Sequence, residues 1–405
     1  MQETEKLYYF EPHLFECSAH VTECCADGER YRVVLDRTCL FPTGGGQPCD
    51  TGAIDGIPVS EVKEKDGVIY HFAEKPLEVG KTVKVTVDKK RRMDHSCQHT
   101  GEHMISGMAH KLFGAKNVGF HMAESYSTLD FDIMLTDEQL FKLEYAVNAA
   151  VRENIPITYD LVDAEKLHKL TLRKKTDGIE DRADKFRIVY IGDVDSCTCC
   201  GTHTAFTGEV GIIKFNAWQK YKSGIRIWFL CAERAFNDYS EKQRIVDSLA
   251  KRFSTKQSEV SELVEKQGDE LSRLKHTLKL KNTQLYEFKS KKLYDEADKV
   301  KGIRIVTFVE ESATAQELCM LSEQVCACGN AICFGLSRLE GSLLYVLCAS
   351  QSPIAMNELC KTVNALFNAK GGGRDNLAQG KAPSMSDSQL EQSISQFIGY
   401  LKAAL

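Results

Sequence analysis

Two pairs of side chains, far apart in the sequence, have the types and the spacing of metal ligands. His99 and His103 are four positions apart, and on a helix such residues share a face, so both imidazoles can reach one point. Cys199 and His203 repeat the interval with a thiolate and an imidazole. Three imidazoles and one thiolate suit tetrahedral Zn2+. The sequence therefore predicts a zinc site that is built from both pairs.

Each pair alone has a simpler interpretation. Two histidines on a polar helix face are more often solvated than metal-bound. A metalloprotease helix places a glutamate directly after its first histidine, whereas Glu102 directly precedes the second histidine here, so that arrangement is absent. Cys197 and Cys200 lie close enough to be alternative thiolate ligands, although the spacing favours Cys199. The two pairs must therefore converge for the zinc hypothesis to hold.

A helix and a strand must position these pairs. The pattern around the histidines predicts a helix that begins near Asp94 or Ser96 and ends before Gly114, with an apolar stripe that packs away from the imidazoles. The apolar run at 187–191 predicts a buried strand that leads into the cysteine turn. Asp195 lies in between and is a candidate acceptor for a ligand imidazole, although aspartates near a glycine are more often turn formers.

Short strands separated by turns predict a small β-barrel over residues 1–88. The valines at every second position of Val83–Val87 have the period of a half-buried strand. Between the strands lies the run Thr43-Gly44-Gly45-Gly46-Gln47, where three consecutive glycines let the backbone approach another group closely. By itself such a run is more often a flexible loop than a site.

The composition is that of a multidomain globular protein. The 405 residues exceed one compact core, and 43% hydrophobic and 27% charged residues are ordinary values. The net charge of −5 disfavours a generally basic nucleic-acid binder, so any RNA contact must come from local patches. One such patch is Lys89-Lys90-Arg91-Arg92. It reads as a solvated connector, but its place before the metal helix makes Arg91 and Arg92 candidate phosphate contacts.

Nothing in the sequence predicts export or membrane insertion. The first ten residues carry charge and lack a signal-peptide core, and no later segment reaches the apolar length of a membrane span. The sixteen cysteines are dispersed through a long chain, so we expect reduced thiols rather than a disulfide framework. These features predict a cytoplasmic protein with no membrane partner.

Residues 233–300 predict long helices. Apolar residues recur at intervals of three and four from Val260 to Phe288, which is typical of a coiled-coil seam, and Ser254 is a candidate cap. One interpretation is a helical hairpin that joins two domains; the other adds a homodimer through this segment. Residues 301–405 alternate strands with helices and predict a small α/β domain.

The last domain carries Lys370-Gly371-Gly372-Gly373-Arg374 and, further on, Lys381. A glycine-rich loop followed by a helix can hold a phosphate through its backbone amides. This spacing fits neither the P-loop nor the dinucleotide fingerprint, so the motif alone does not identify a ligand.

Together these elements resemble the alanyl-tRNA editing family, which comprises the editing domains of alanyl-tRNA synthetases and the free-standing AlaX-type proteins, and more distantly threonyl-tRNA synthetase. The resemblance rests first on both metal pairs, with Cys200 standing where the family motif Cys-Gly-Gly-Thr-His has glycine. The Gly-Gly-Gln element that ends at Gln47 and the Gly-Gly-Gly-Arg element that ends at Arg374 extend it over nearly the whole chain, in the order of the long AlaX form.

The resemblance implies an α+β multidomain fold with four parts. These are a β-barrel domain at 1–88, a zinc-binding editing domain at 89–232, a long helical hairpin or coiled-coil segment at 233–300, and a C-terminal α/β tRNA-binding domain at 301–405. It also implies site residues. Gln47 would hydrogen-bond the substrate, Thr43, Gly45, Gly46 and His121 would border the pocket, and Arg374 and Lys381 would contact the RNA backbone. If the zinc only positions groups, Gln47 or Thr100 would handle the attacking water.

The implied reaction is hydrolysis of the ester that joins serine, or glycine, to the terminal ribose of alanine tRNA. Zinc would activate water, polarise the carbonyl or orient the amino acid, although four protein ligands already fill a tetrahedron, as in structural sites. No aminoacylation module precedes the metal helix, so we expect the chain to discharge tRNA and not to charge it. The alternatives are a non-catalytic zinc-containing RNA-binding protein and an enzyme that edits mischarged threonine tRNA.

Overall fold

The computed structural model describes residues 3–174 and 185–405. The chain forms two compact units, Met1–Lys251 and Arg252–Leu405. Each unit combines helices with β-sheets, so the predicted α+β class with more than one unit is confirmed. The finer division at residues 88, 232 and 300 stays a prediction.

The N-terminal part of the first unit is built from strands. They are β1 (Glu5–Lys6), β2 (Glu16–Asp27), β3 (Arg30–Leu35), β4 (Arg37–Thr38), β5 (Gly52–Ile54), β6 (Ile57–Lys65), β7 (Val68–Ala73) and β8 (Thr82–Val87). Six of them hydrogen-bond in the closed order β2-β3-β7-β6-β5-β8, and β1 pairs with β4. Alternate side chains point inward, so Val33, Ile69 and Val85 are completely buried. The strand predicted at 83–87 is confirmed.

The histidine pair lies on α1 (Lys89–Phe113), which begins earlier than predicted. Asp88 caps the helix because its carboxylate accepts a hydrogen bond from the Arg91 backbone N–H. Gly114, with φ of 69°, ends the helix as expected. The start predicted near Asp94 or Ser96 is therefore wrong, and the basic run at 89–92 is the first turn of the helix and not a connector.

The described remainder of the first unit consists of two sheets and three further helices. The elements are β9 (Asn117–Met122), β10 (Ser127–Phe131), α2 (Asp137–Arg152), β11 (Ile157–Val162), α3 (Ala164–Lys169), β12 (Phe186–Ile191), β13 (Asp195–Thr198), β14 (Ile213–Tyr221), β15 (Gly224–Cys231) and α4 (Ala232–Phe253). The strand orders are β14-β15-β10-β9 and β11-β12-β13. The strand predicted at 187–191 is confirmed.

Two glycines let α1 lie close to the strands. A Cβ on Gly101 would overlap the Cys231 thiol at the end of β15, and a Cβ on Gly107 would overlap the Val194 carbonyl just before β13. The apolar stripe of the same helix is buried in the core between α1, α2 and the sheets. This packing fixes the helix that carries the histidines against the strand that leads to the cysteine turn.

The second unit begins with a long helix and continues as a six-stranded mixed sheet with helices. The elements are α5 (Val260–Glu296), β16 (Asp298–Val300), β17 (Ile303–Glu311), α6 (Ala315–Ala327), β18 (Ala331–Leu339), β19 (Ser342–Ala349), α7 (Met356–Leu366), β20 (Lys370–Gly373), β21 (Leu377–Pro383) and α8 (Asp387–Ala404). The strand order is β16-β17-β18-β19-β21-β20, and β17 and β18 run parallel. The alternation predicted for residues 301–405 is confirmed.

The glycine-rich segment of this unit forms a β-hairpin. The predicted loop that leads into a helix is not found there. Strands β20 and β21 pair antiparallel, with Lys370 opposite Lys381 and Gly371 opposite Gly380. Both glycines lie so close to the Tyr345 ring that a Cβ on either would overlap it. The glycines therefore serve strand packing against an aromatic side chain, and no helix N-terminus follows them directly.

Helix α5 runs from Val260 to Glu296 and contains the whole predicted apolar repeat. Ser254, the predicted cap, has a φ of 51° and belongs to the turn after α4. The predicted seam is exposed in the single chain, with 53% of Leu271, 59% of Leu274 and 60% of Leu278 accessible. Nothing within the second unit, all of whose residues are described, covers this stripe.

Across its described residues, the chain has no helix that is both long and apolar enough to cross a lipid bilayer.

Candidate metal centre and the adjoining cavity

The four predicted donors converge in the first unit. Helix α1 carries His99 and His103, and the turn after β13 carries Cys199 and His203. The Cys199 Sγ lies 3.5 Å from Nε2 of His99 and 3.4 Å from Nε2 of His203. All four ligand atoms fall within 4.8 Å of one another, and the three imidazoles are nearly inaccessible to solvent. The arrangement is a candidate metal site of three nitrogens and one sulfur.

The spacing of the donors fits tetrahedral zinc. With Zn–N bonds of about 2.05 Å and Zn–S bonds of about 2.3 Å, tetrahedral ligands place nitrogen and sulfur about 3.6 Å apart. The two observed sulfur to nitrogen separations, 3.4 and 3.5 Å, agree with that value. The residues present therefore fit Zn2+ in donor type and in spacing.

Each ligand imidazole has a partner on its other nitrogen. Nδ1 of His99 lies 2.8 Å from Oε1 of Gln47, and Nδ1 of His203 lies 3.2 Å from the Thr100 hydroxyl. Nδ1 of His103 lies 3.0 Å from a carboxylate oxygen of Asp195, as the sequence predicted. Such partners fix the ring orientation and the tautomer, so that Nε2 is left free to ligate.

The Asp195 carboxylate is itself held by a cation. Arg173 donates to both of its oxygens, at 2.5 and 3.0 Å. Burial alone would raise the pKa of Asp195, but the hydrogen bonds from His103 and Arg173 lower it to about 2. Asp195 therefore stays ionised and holds the His103 Nδ1–H. Nothing in the sequence around Arg173 indicated this contact, because the partner lies 22 positions away.

A second set of polar contacts, which sequence reasoning missed, ties the cysteine turn to the rest of the site. The Thr202 hydroxyl receives hydrogen bonds from the Gln47 amide at 2.8 Å and from the Ser96 hydroxyl at 2.9 Å. The Thr202 backbone N–H donates to Oε1 of Gln47 at 3.1 Å. The threonine of the Cys-x-x-Thr-His motif was visible in the sequence, and its place within the motif was the only available signal.

The ionisation of two donors, Cys199 and His203, suits metal binding. Burial raises the pKa of Cys199, but the imidazoles of His99, His103 and His203 outweigh it and hold the pKa well below its usual range. Burial lowers the pKa of His203 to about 3. A thiolate and a neutral imidazole are the forms that bind metal. For His103, burial lowers the pKa, but the thiols of Cys197 and Cys199 and the Asp195 carboxylate outweigh it and raise the pKa, so a metal would displace a proton there.

Cys199 is better placed as the thiolate ligand than its neighbours. Cys197 Sγ lies 3.4 Å from Nδ1 of His103, the nitrogen that faces Asp195, and Cys200 is exposed. A Cβ on Gly201 would overlap the His99 ring, so this glycine is needed where the turn meets the helix. The guanidinium of Arg187 donates to the carbonyls of Cys199 and Gly201 and so braces the turn.

Comparison with known proteins decides the family. Residues 186–227 match the family model of the threonyl and alanyl tRNA synthetase second additional domain, and residues 4–91 match that of the class II (A) tRNA synthetases. The chain is 30% identical to the alanyl-tRNA editing protein AlaX-L of Pyrococcus horikoshii, over 98% of this chain and 99% of that protein. It belongs to the alanyl-tRNA editing protein family. The alanyl-tRNA editing protein Aarsd1 of Mus musculus is 37% identical over 47% of each chain, and the alanine-tRNA ligase of Thermococcus kodakarensis is 29% identical over 97% of this chain and 43% of the ligase.

In this member of the family, an open cavity of about 590 Å³ adjoins the donors. Three of the four donors line it, together with aromatic rings and cations. The aromatic residues are Tyr9, Phe120 and Phe186, and the cationic residues are Lys6, Arg173, Lys174, Lys185 and Arg187. Only two carboxylates of the described residues face it, Glu64 and Glu102. Its charge therefore favours a polyanion, and its rings can stack on a base.

Of the residues predicted to border the pocket, some lie at this cavity and others do not. Gly45 lines it, and Gly46 packs against Phe120, which is the neighbour of the predicted His121. His121 is exposed, because alternate residues of β9 face opposite sides and Phe120 takes the cavity side. Thr43 is also exposed and accepts a hydrogen bond from the Cys49 backbone N–H. Neither His121 nor Thr43 lines this cavity, so their assignment to the substrate pocket stays a prediction.

Gln47 and Thr100, which were predicted to handle the attacking water, hydrogen-bond to other groups of the site instead. Gln47 is buried and uses both ends of its amide, on His99 and on Thr202. The Thr100 hydroxyl contacts His203 and accepts from the Thr204 backbone N–H at 3.1 Å. Neither side chain lines the cavity, so both are better described as residues that orient ligand histidines.

The two arginines that were predicted to contact RNA differ in accessibility. Arg92 is fully buried and donates to both carboxylate oxygens of Asp50 and to the Cys39 carbonyl. It joins α1 to the ring of strands and cannot reach RNA, so that assignment is wrong. Arg91 is half-buried and donates through Nε to the Cys49 carbonyl at 3.0 Å.

Proposed function

We propose that the chain hydrolyses the ester bond between a wrongly attached amino acid, serine or glycine, and the terminal ribose of alanine tRNA. The observation that carries this proposal is the cluster of three histidines and one cysteine at the wall of a cationic, aromatic cavity, in a chain of the alanyl-tRNA editing family. The cavity is open, so the 3′ end of a tRNA can enter it.

The cavity walls match the chemistry of an aminoacylated RNA end. Lys174 and Lys185 can pair with backbone phosphates, whereas Lys6, Arg173 and Arg187 already bind Glu64, Asp195 and the carbonyls of the cysteine turn. The aromatic rings of the cavity can stack on the terminal adenine. These local cations would let the chain bind RNA although its net charge is −5. Arg91 on the first turn of α1, and Arg374 and Lys381 on the exposed hairpin of the second unit, are our further candidates for phosphate contacts.

The donors would hold Zn2+, which supplies Lewis acidity toward the ester carbonyl and lowers the pKa of water. The chain's own residues position the reaction. Gln47, Thr100 and Asp195 keep the three ligand rings aimed at one point, and Arg187 holds the turn that carries Cys199. Serine would be told from alanine by hydrogen bonds to its hydroxyl, because a site built for a hydroxyl rejects the analogue that lacks it.

The test is the release of amino acid from alanine tRNA charged with serine, glycine or alanine. We expect the wild type to deacylate the serine and glycine forms faster than the alanine form, and His103→Ala to lose both zinc and activity. If folded, zinc-loaded wild type releases no amino acid but still binds the tRNA, the chain is a non-catalytic RNA binder. Faster release from serine-charged threonine tRNA would assign it to that tRNA instead.

Two further features stay predictions. The exposed apolar stripe of α5 is where we expect a homodimer to form. The cytoplasm, where aminoacylated tRNA is used, is the location that we expect for the activity.

A further inference from the structure

Glu102 is a buried carboxylate that lines the cavity, with one oxygen held by two donors and the other close to His103. The Ser106 hydroxyl and the Asn117 amide donate to Oε1 at 2.6 and 2.5 Å. The second oxygen, Oε2, lies 3.7 Å from Nε2 of His103, and only 6% of the side chain is exposed. The carboxylate is therefore oriented by its neighbours and borders the metal centre.

No lysine or arginine of the described residues forms an ion pair with Glu102. The other carboxylate of the cavity, Glu64, already pairs with Lys6 at 2.5 Å and is more exposed. The cations of the cavity suit phosphates. Among the described residues only the His103 imidazole lies within ion-pair distance of Glu102, so this buried carboxylate suits a positively charged or strongly donating ligand group. This preference is local to the wall beside His103.

We infer that Glu102 binds the α-amino group of the aminoacyl ester, an inference that rests on the proposed function. This amino group is the cationic group that the esterified amino acid brings, and serine and glycine share it. Its nitrogen is about 2.5 Å from the ester carbonyl carbon. An amino group on Oε2 of Glu102 therefore places the carbonyl beside the donor cluster, where the bond is to be broken.

The position of Glu102 on α1 supports this role. It directly precedes the ligand His103, and Ser106 lies one turn further on the same face and holds Oε1. Asn117 lies on β9 and also donates to the Ser106 hydroxyl, at 3.1 Å. The three side chains thus form a bracket between helix and strand that aims one carboxylate oxygen at the substrate.

The experiment compares serine-charged alanine tRNA with an analogue in which a hydroxyl replaces the α-amino group. This replacement keeps size and shape and removes the charge. We expect the wild type to hydrolyse the amino form with the higher kcat/KM. Glu102→Gln, which can keep the hydrogen bonds of the bracket, should lower kcat/KM for the amino form about tenfold to a hundredfold, mainly through KM, and change the hydroxyl form less than about threefold.

Two further variants serve as controls, so that a loss of folding or of zinc is not mistaken for a loss of substrate binding. Glu64→Gln alters the other carboxylate of the cavity and should leave the preference between the substrates unchanged. Asn117→Ala loosens the bracket without touching the charge and should weaken the preference less than Glu102→Gln does. Zinc content and unfolding midpoint are measured for every variant.

An equal loss on both substrates in Glu102→Gln would overturn the inference and assign the carboxylate to water or to the metal. No change on either substrate would overturn it as well. If the folded, zinc-loaded wild type hydrolyses neither substrate, the proposed function itself fails, and this result differs from the other two because no variant is needed to see it.

Discussion

Gln47 Oε1 lies 2.8 Å from Nδ1 of His99, although the two residues are 52 positions apart. This contact joins the loop of the strand ring to the helix that carries the first metal pair. The same amide donates to Thr202, beside the second pair. Gln47 thus connects both halves of the metal site through one side chain.

Gln47→Ala should lower zinc affinity by about tenfold to a hundredfold, because it removes the partner that fixes the His99 ring. Competition with a chelator measures the affinity. Thr43→Ala, on the same loop but outside the cavity, is the matched control and should leave it unchanged. An unchanged zinc affinity with a large fall in kcat would contradict this role and would indicate that Gln47 contacts the substrate.

Gly201→Ala should prevent stoichiometric zinc binding, because the added Cβ overlaps the His99 ring. Metal analysis of the purified variant checks this. Gly44→Ala is the control, since a Cβ there meets no atom within 4 Å. A zinc-replete Gly201→Ala protein would show that the turn can shift away from the helix.

Arg92→Ala should destabilise the fold by about 3–5 kcal/mol, because it leaves the buried Asp50 carboxylate without its cation. Arg91→Ala should weaken tRNA binding with little effect on the free energy of unfolding. Urea unfolding and tRNA titration separate the two effects. The reverse pattern would restore Arg92 as an RNA contact.

Because His71 is buried, we expect the folded chain to lose stability in mild acid. Burial lowers its pKa from 6.5 to about 4 in the folded chain, so between these values the unfolded chain binds a proton that the folded chain does not. The contribution of His71 to the free energy of unfolding should therefore fall by up to about 3 kcal/mol as the pH drops from 6.5 to 4, and no further below that. His71→Gln should reduce this dependence in urea unfolding at pH 7 and pH 5, whereas the exposed His20→Gln should keep it. An unchanged slope in His71→Gln would exclude His71 as its source.

Arg374→Ala and Lys381→Ala should each weaken tRNA binding and lower the slope of log affinity against log salt by about one. Both residues are exposed on the β20–β21 hairpin. Lys299→Ala, on β16 at the opposite edge of the sheet, is the matched control. Equal effects of all three variants would mean that the hairpin has no special part in binding.

Local patterns in the sequence are sufficient for the main elements and for the candidate ligands. Residues four apart on a helix share a face whatever surrounds them, so the spacing alone is enough to pair His99 with His103. Alternating valines predict β8, and the apolar run predicts β12, for similar short-range reasons. The glycine run at 371–373 is misleading because glycine permits both a loop and a strand that crosses an aromatic ring.

The sequence by itself determined which side chains can ligate a metal and which segments carry them. Only the tertiary structure decided what each other polar residue does. Arg92 proved to be a buried partner of Asp50, Gln47 a partner of His99, and Glu102 a wall of the cavity. The reason is physical: helix and strand periodicities act over a few residues, whereas burial and hydrogen-bond partners are set by contacts between segments that lie far apart in the chain.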